Sequence, residues 1–287
     1  MSINSIMGTG LSALMANQQA LAATSSNVAN VNTEGYSRKD VHFVTRQSGG
    51  GVSGVDIDIQ RVANAYLAAA EMRGAGDVSA AEILSRYIDR AQGLFGDPSE
   101  RGSVFATIDP VMQAFGALSV DPSSSLRRSS ALSELQTMLS QLDTTQNEIS
   151  ELRTEAHRQG YSLMEEANAL MSNIAKLNGS IQRARIAGVS SAESETEQSR
   201  LLDRLAEIVD IRTAGRALGG VEVRTGDGLL LVDVEAARFG YSSANSGSAY
   251  PGIVIMQPNS ATETPMASHM RGGGLLGVMR ARGQELV

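Results

Sequence analysis
The sequence contains no cysteine and no tryptophan, and only 4% of its residues are aromatic. Without thiols there are no disulfide staples and no thiolate chemistry. That suits a protein working outside the cell but does not establish it. So few rings argue against a large aromatic-lined ligand pocket. They suit helical packing by Ala, Leu, Ser and Gln. Positive charge is also short: 24 Lys and Arg stand against 31 Asp and Glu, a net charge of −7. No basic run tracks a phosphate backbone, so no nucleic-acid partner is expected. Arg38-Lys39 and Arg127-Arg128 are read as solvated faces. At 287 residues the chain has room for one large domain or two smaller ones, with a real core.

Catalytic constellations are lacking as well. His42, His157 and His269 lie far apart, and His157 is read as a surface residue. There is no His-x-x-x-His, no carboxylate cluster and no nucleophile elbow. Glu165-Glu166 and Glu193, Glu195 and Glu197 read as solvated acidic patches. No enzyme, metal or cofactor is expected.

The most informative absence is local. From Met1 to Thr33 no side chain is charged; the first is Glu34. Within this stretch Leu14, Leu21 and Val28 recur every seven residues, with Met7 a heptad earlier and Leu11 beside Leu14. This is one apolar stripe at helical spacing, and the opposite face is Ser, Thr, Asn and Gln. Such a helix can lay itself against another chain without desolvating a charge. Alone it is marginal, because Gly8 and Gly10 weaken its start and no ion pairs support it. A secretory signal peptide would need a basic start. Asn17, Gln18, Gln19, Ser25, Ser26 and Asn27 interrupt any membrane-spanning run, so no membrane is expected. A helix of an ordinary globular core fits the same pattern. Gly8-Thr9-Gly10 with Ala13 imitates a dinucleotide fingerprint, but no strand precedes it.

Further on, residues 37–60 read as an extended segment or loose hairpin. Val41 to Thr45 is rich in strand formers, Gly49 to Gly51 break it, and Val55, Ile57 and Ile59 alternate strictly. Residues 62–95 look helical, with Gly74 and Gly76 as candidate interruptions. Asp97-Pro98, Asp109-Pro110 and Asp121-Pro122 offer helix starts, Asp as N-cap and Pro at the first helical position. A short helix holds Val111, Met112, Phe115 and Leu118. From Ser125 to Arg185, Leu135, Leu142, Ile149, Ala156, Leu163, Leu170 and Leu177 hold one heptad position. This predicts one long helix in an antiparallel bundle or coiled coil, with Gly160 a bend or a close approach. Residues 190–198 read as a polar loop, and Leu201 to Val209 as a short helix. Val221 to Arg224 and Leu229 to Val232 flank Thr225-Gly226-Asp227-Gly228, a hairpin signal. Ile253 to Met256 is a further strand. Residues 219–270 are thus expected to form a small β-rich lobe, and Gly272-Gly273-Gly274 leads into a returning helix.

The fold class is therefore mainly α: an N-terminal assembly helix, then a long-helix antiparallel bundle or coiled-coil domain with a small β-hairpin lobe. The expected division is residues 1–60, assembly helix and linker, and 61–287, helical bundle.

One motif is long and specific. Ser26-Asn27-Val28-Ala29-Asn30-Val31-Asn32-Thr33-Glu34-Gly35-Tyr36-Ser37-Arg38 reads as a helix end, with Asn30 and Asn32 as stops and Gly35 available for positive φ. Asn27, Val28, Ala29, Asn30, Asn32, Thr33, Gly35, Tyr36 and Arg38 match "N-I/V-A-N-x-N-T-x-G-Y-x-R" of the rod, hook and hook-associated proteins of the bacterial flagellum. The chain resembles that family over its N-terminal portion. The long helix favours its hook-associated members, which form the hook–filament junction, over a distal rod or hook subunit. Asp121-Pro122 followed by Arg127 resembles their entry into the long helix. Leu201-Leu202-Asp203 resembles their "L-L-D-x-R-D" without the final Arg-Asp, and residues 272–279 resemble their "G-G-x-L-G-G-L/I-L" turn.

The resemblance implies a structural, self-assembling subunit of the extracellular flagellum, exported without a cleaved signal peptide. Its implied partners are the hook protein, a further hook-associated protein, copies of itself, and an export chaperone for a C-terminal part absent from this sequence. Such a chain would be a fragment or a short member. Its implied assembly interface is Leu11, Leu14, Leu21, Val28, Asn27, Asn30, Asn32, Gly35, Tyr36 and Arg38. A soluble coiled-coil adaptor or secreted effector is the reading from another class.

Overall fold
The computed structural model describes residues 3–33, 36, 38–48, 51–61, 65–97, 102–242, 252–258, 260 and 262–285. Gly35, Gly49, Gly50 and Pro98, each singled out above, lie outside the described residues. Helix α1 (Ile3–Ala29) leads into an antiparallel hairpin of β1 (Lys39–Ser48) and β2 (Gly51–Arg61). The register pairs Val41 with Ile59, Phe43 with Ile57 and Thr45 with Val55, so the strictly alternating residues of β2 share one face. Next come α2 (Ala65–Phe95), a 3-10 turn running straight into α3 (Ile108–Val120), and α4 (Ser125–Ile186). At 62 residues α4 is about 93 Å long.

Helix α5 (Ala192–Ile208) turns back along α4, as Glu166–Arg204 and Arg185–Glu195 pairing shows. Two three-stranded antiparallel sheets follow. One is β3 (Ile211–Gly215), β4 (Val221–Thr225) and β5 (Leu230–Val232); the other is β6 (Arg238–Tyr241), β7 (Ile253–Met256) and β8 (Glu263–Pro265). The chain then enters α6 (Gly274–Arg280) and a π-helical turn, Ala281–Glu285. The larger core joins Met164, Met171 and Ile174 of α4, Leu205 of α5, Leu231, Phe239 and Ile255 of the sheets, and Leu275 of α6. A smaller core holds Ile83 and Tyr87 of α2 against Leu152 and Ala156 of α4 and Val278 of α6.

Several expectations are corrected by these contacts. Gly74 and Gly76 do not interrupt α2. A Cβ on Gly76 would lie 2.9 Å from the Ala206 carbonyl, so this glycine admits a close neighbour. Its own carbonyl accepts from Gly273 N–H at 2.9 Å, which seats α6 on α2. Asp109 and Pro110 lie inside the first turn of α3, not at its cap, where the carboxylate meets the positive helix end and Pro is tolerated. Asp121 ends α3, and Ser124, not Asp121, caps α4 by accepting from Arg127 N–H. The Arg127 guanidinium donates back to the Ala117 carbonyl at 2.9 Å, closing the α3–α4 corner.

Residues 192–198 are helix rather than loop: Glu193 and Glu195 occupy the first turn of α5, favourable for the helix dipole. Within the acidic patches, Glu166 pairs at the surface with Arg204, Glu195 with Arg185 and Glu197 with Arg200. His157 is half-buried, its ring 4.8 Å from that of Tyr241 and its Nδ1 3.1 Å from Arg282 Nη1. Burial first, then the Arg282 guanidinium, pushes its pKa below the ordinary histidine value. Gly160 is a close approach, where an added Cβ would meet Val278 at 3.1 Å. Strands β3, β6 and β8 join the expected strands without an alternating pattern of their own.

Candidate assembly face on the terminal helix
In α1 the residues that face the hairpin are small. Ala16 and Ala23 are 3% and 6% exposed, and Ser12, Ala13, Ala20 and Asn27 are half-buried beside them. Spacings of four and seven residues put Ser12, Ala16, Ala23 and Asn27 on one helical face. At 100° per residue the stripe of Leu14, Leu21 and Val28 lies about 150° away, on the far side. Leu14, Leu21 and Val28 are 56%, 68% and 71% exposed, and Met7, Leu11 and Met15 are exposed with them. Sequence periodicity found the stripe. The buried alanine face was missed because alanine carries little hydropathy signal.

The motif after the helix is folded onto the chain itself. Asn27 Nδ2 donates to the Lys39 carbonyl at 2.8 Å, and Lys39 N–H donates to Asn27 Oδ1 at 2.9 Å. The Tyr36 hydroxyl also donates to Asn27 Oδ1, at 2.8 Å, and lies 3.1 Å from Ser26 Oγ. Asn30 Nδ2 donates to the Ser26 carbonyl at 2.9 Å, and Thr33 Oγ1 donates to Asn30 Oδ1 at 3.2 Å. A second contact holds the helix nearer its start: Val55 N–H donates to Ser12 Oγ at 3.1 Å, and that hydroxyl donates to the Thr9 carbonyl. Gly54 lets Ser12 come close, since an added Cβ would sit 3.0 Å from Ser12 Oγ.

Of the ten residues expected at the interface, Leu11, Leu14, Leu21 and Val28 therefore line an outward stripe, while Asn27, Asn30 and Tyr36 bond within the chain. Asn32 and Arg38 are exposed, and Arg38 reaches Asp40 at 3.9 Å.

Elsewhere the charged groups clamp helices. Arg90 grips Glu155 through two bonds of 2.7 and 2.8 Å, joining α2 to α4 and holding the Glu155 carboxyl below its usual range. Burial, ahead of the neighbouring Asp77 and Asp227, raises the Asp210 carboxyl, with Arg212 and Arg271 opposing. Among the described residues no group of three His, Asp or Glu could hold a metal, and no helix is long and apolar enough to cross a membrane.

Fold and surface together define an α-rich chain whose terminal helix is uncharged and exposes an apolar stripe. Residues 88–287 match the family of the flagellar hook-associated protein FlgK helical domain, and the chain belongs to that family. Residues 7–36 match the flagella basal body rod protein family. The flagellar hook-associated protein 1 of Bacillus subtilis is 22% identical over 245 residues, covering 79% of this chain and 47% of the relative. The chain thus spans about half the length of that relative. The flagellar hook protein FlgE of Caulobacter vibrioides is 54% identical over 50 residues, 17% of this chain and 8% of that protein. The solved structure of the flagellar hook junction protein FlgK from Burkholderia pseudomallei has the same fold, with a TM-score of 0.65 at 19% identity. The alignment covers 75% of this chain and 38% of that one.

Proposed function
We propose that the chain is a structural subunit of the bacterial flagellum that joins hook to filament by self-assembly through α1. The observation that carries this is an exposed, uncharged leucine stripe on a member of the FlgK helical-domain family. Covering such a side chain with a neighbour's apolar surface is worth about 1.5–3 kcal/mol, and no charge is desolvated in doing so. The contact favours assembly only where it exceeds the entropy of ordering the helix.

In this reading the subunit passes the export channel unfolded and gains its neighbours at the growing tip, in the extracellular part of the flagellum. Those neighbours are the hook protein, a further hook-associated protein and copies of itself, with a chaperone engaged before export. Likeness to a hook protein over 50 residues supports hook-related partners. The rod-family match falls on residues 7–36, whereas residues 88–287, with the long helix, match the hook-associated family, which favours the junction over a distal rod or hook subunit. Residues 1–60 are the assembly unit and 61–287 the helical bundle.

Leu14→Asp combined with Leu21→Asp places two carboxylates on the stripe. Expressed in the source bacterium, this variant is expected to leave hooks intact but lower filament-bearing hooks roughly tenfold or more by electron microscopy. Filament counts equal to those of the unmodified chain would refute the proposal.

A further inference from the structure
Two hydrogen-bonded contacts, at Ser12 and at Asn27, tie α1 to different places on the hairpin. They are 15 residues apart, or about 22 Å along the helix. Between them lie Ala16 and Ala23, both buried. Alanines bury little area and give no shape key, so a helix resting on them alone would roll or slip at small cost. Hydrogen bonds are directional. The Asn27 amide satisfies the Lys39 N–H and carbonyl together, a match that exists at one roll of the helix. Slipping α1 by one residue would turn the leucine stripe by about 100°, from outward to sideways.

We infer that Ser12, Asn27 and Tyr36 are positioning residues, which fix the roll of α1 on its own hairpin so that the leucine stripe faces the neighbouring subunit. This inference rests on the assembly role proposed for the stripe. Asn27 Oδ1 accepts two bonds and Nδ2 donates to the hairpin, so its amide is committed within the chain. Tyr36 supplies one of those two bonds, and its hydroxyl also meets Ser26 Oγ. The motif thereby orients the contact surface instead of forming it. The neighbour's matching surface is apolar, because the stripe offers it no charge.

The test removes the polar lock and replaces it with a covalent one. Asn27→Ala deletes the bonds to Lys39 and Tyr36. A Cβ at Gly54 lies 3.5 Å from Ser12 Cβ, within the spacing of about 3.5–4.5 Å that a disulfide spans. Ser12→Cys with Gly54→Cys can therefore be oxidised to pin α1 to the hairpin, and the sequence has no other cysteine to mispair. Purified chains are compared by amide hydrogen exchange and by co-sedimentation with isolated hooks. Asn27→Ala is expected to speed exchange at Val28 to Asn30 and at Lys39 roughly tenfold, and to lower hook binding by a similar factor. Oxidation of the cysteine pair in the Asn27→Ala background is expected to restore binding.

Unchanged exchange in Asn27→Ala, or undiminished hook binding, would overturn the inference. So would weak binding that the disulfide does not restore, since Asn27 would then touch the hook itself. The Leu14→Asp, Leu21→Asp chain separates the two readings. If it binds hooks as well as the unmodified chain, or if neither binds, the assembly role fails, and exchange in Asn27→Ala alone decides the positioning role.

Discussion

At the scale of single residues, three asparagines perform one task in three places. Asn27 meets the backbone N–H and carbonyl of Lys39, Asn168 those of Phe239, and Asn178 those of Val221. Each side-chain amide imitates a strand edge, satisfying one donor and one acceptor that docking against a helix would otherwise strand. Asn178 goes furthest. It is buried, also donates to the Asp233 carbonyl at 2.8 Å, and accepts from Gln198 Nε2 at 2.8 Å. Asn178→Ala would leave several buried polar groups unpaired. Equilibrium urea unfolding is expected to find the bundle destabilised by about 3 kcal/mol or more. A loss under about 1 kcal/mol would mean that water replaces the amide. A family motif marks Asn27, but no sequence pattern marks Asn168 or Asn178, because an Asn on a helix looks the same whether it meets solvent or a strand.

At the scale of elements, glycines in α2 that look alike in sequence have opposite roles. An added Cβ on Gly74 meets nothing within 4 Å, whereas on Gly76 it would press on the Ala206 carbonyl at 2.9 Å. Gly74→Ala is expected to stabilise by up to about 1 kcal/mol, from helix propensity. Gly76→Ala should destabilise by about 1–3 kcal/mol, since α5 and α6 must shift. Thermal melts of the two single variants check this, and the prediction requires midpoints on opposite sides of the unmodified chain. The long helix divides in the same spirit. Its heptad runs unbroken through the sequence, yet Leu132, Leu139 and Leu142 are exposed; Ala131 and Thr145 are buried singly, and closely spaced burial starts at Leu152. A repeat states which side of a helix is apolar; the neighbouring elements decide where along its length that side is covered.

At the scale of the whole molecule, among the described residues neither buried cluster, nor the partly buried side chains packed on it, includes one before Met72. The terminal helix rests on the hairpin through alanines and hydrogen bonds, and the hairpin meets the bundle where β2 touches α5. Deleting residues 1–60 is therefore expected to leave the thermal midpoint of the remaining chain unchanged within error while abolishing hook binding. A large drop in that midpoint would show that the terminus belongs to the bundle core. Such independence matches the proposed role, because a surface that orders against neighbours gains from being uncoupled from the stability of its carrier.

The sequence by itself determined the periodic elements: the uncharged stripe of α1, the alternating strand β2, the span of α4, and the hairpin around Gly226 to Gly228. Each follows from local rules of spacing and turn chemistry that hold before any tertiary contact forms. The specific motif after α1 also identified the family from residues alone. Tertiary structure decided what these elements face. It turned the alanines of α1 inward and the leucines outward, put Asn27 and Tyr36 to work inside the chain, made Gly76 a contact and buried half of His157. Strands β3, β6 and β8 lack the apolar runs of β5 and β7, and their backbones are satisfied by partner strands, with Asn168 also meeting β6. Periodicity encodes a face, but only packing and directional hydrogen bonds assign that face a partner.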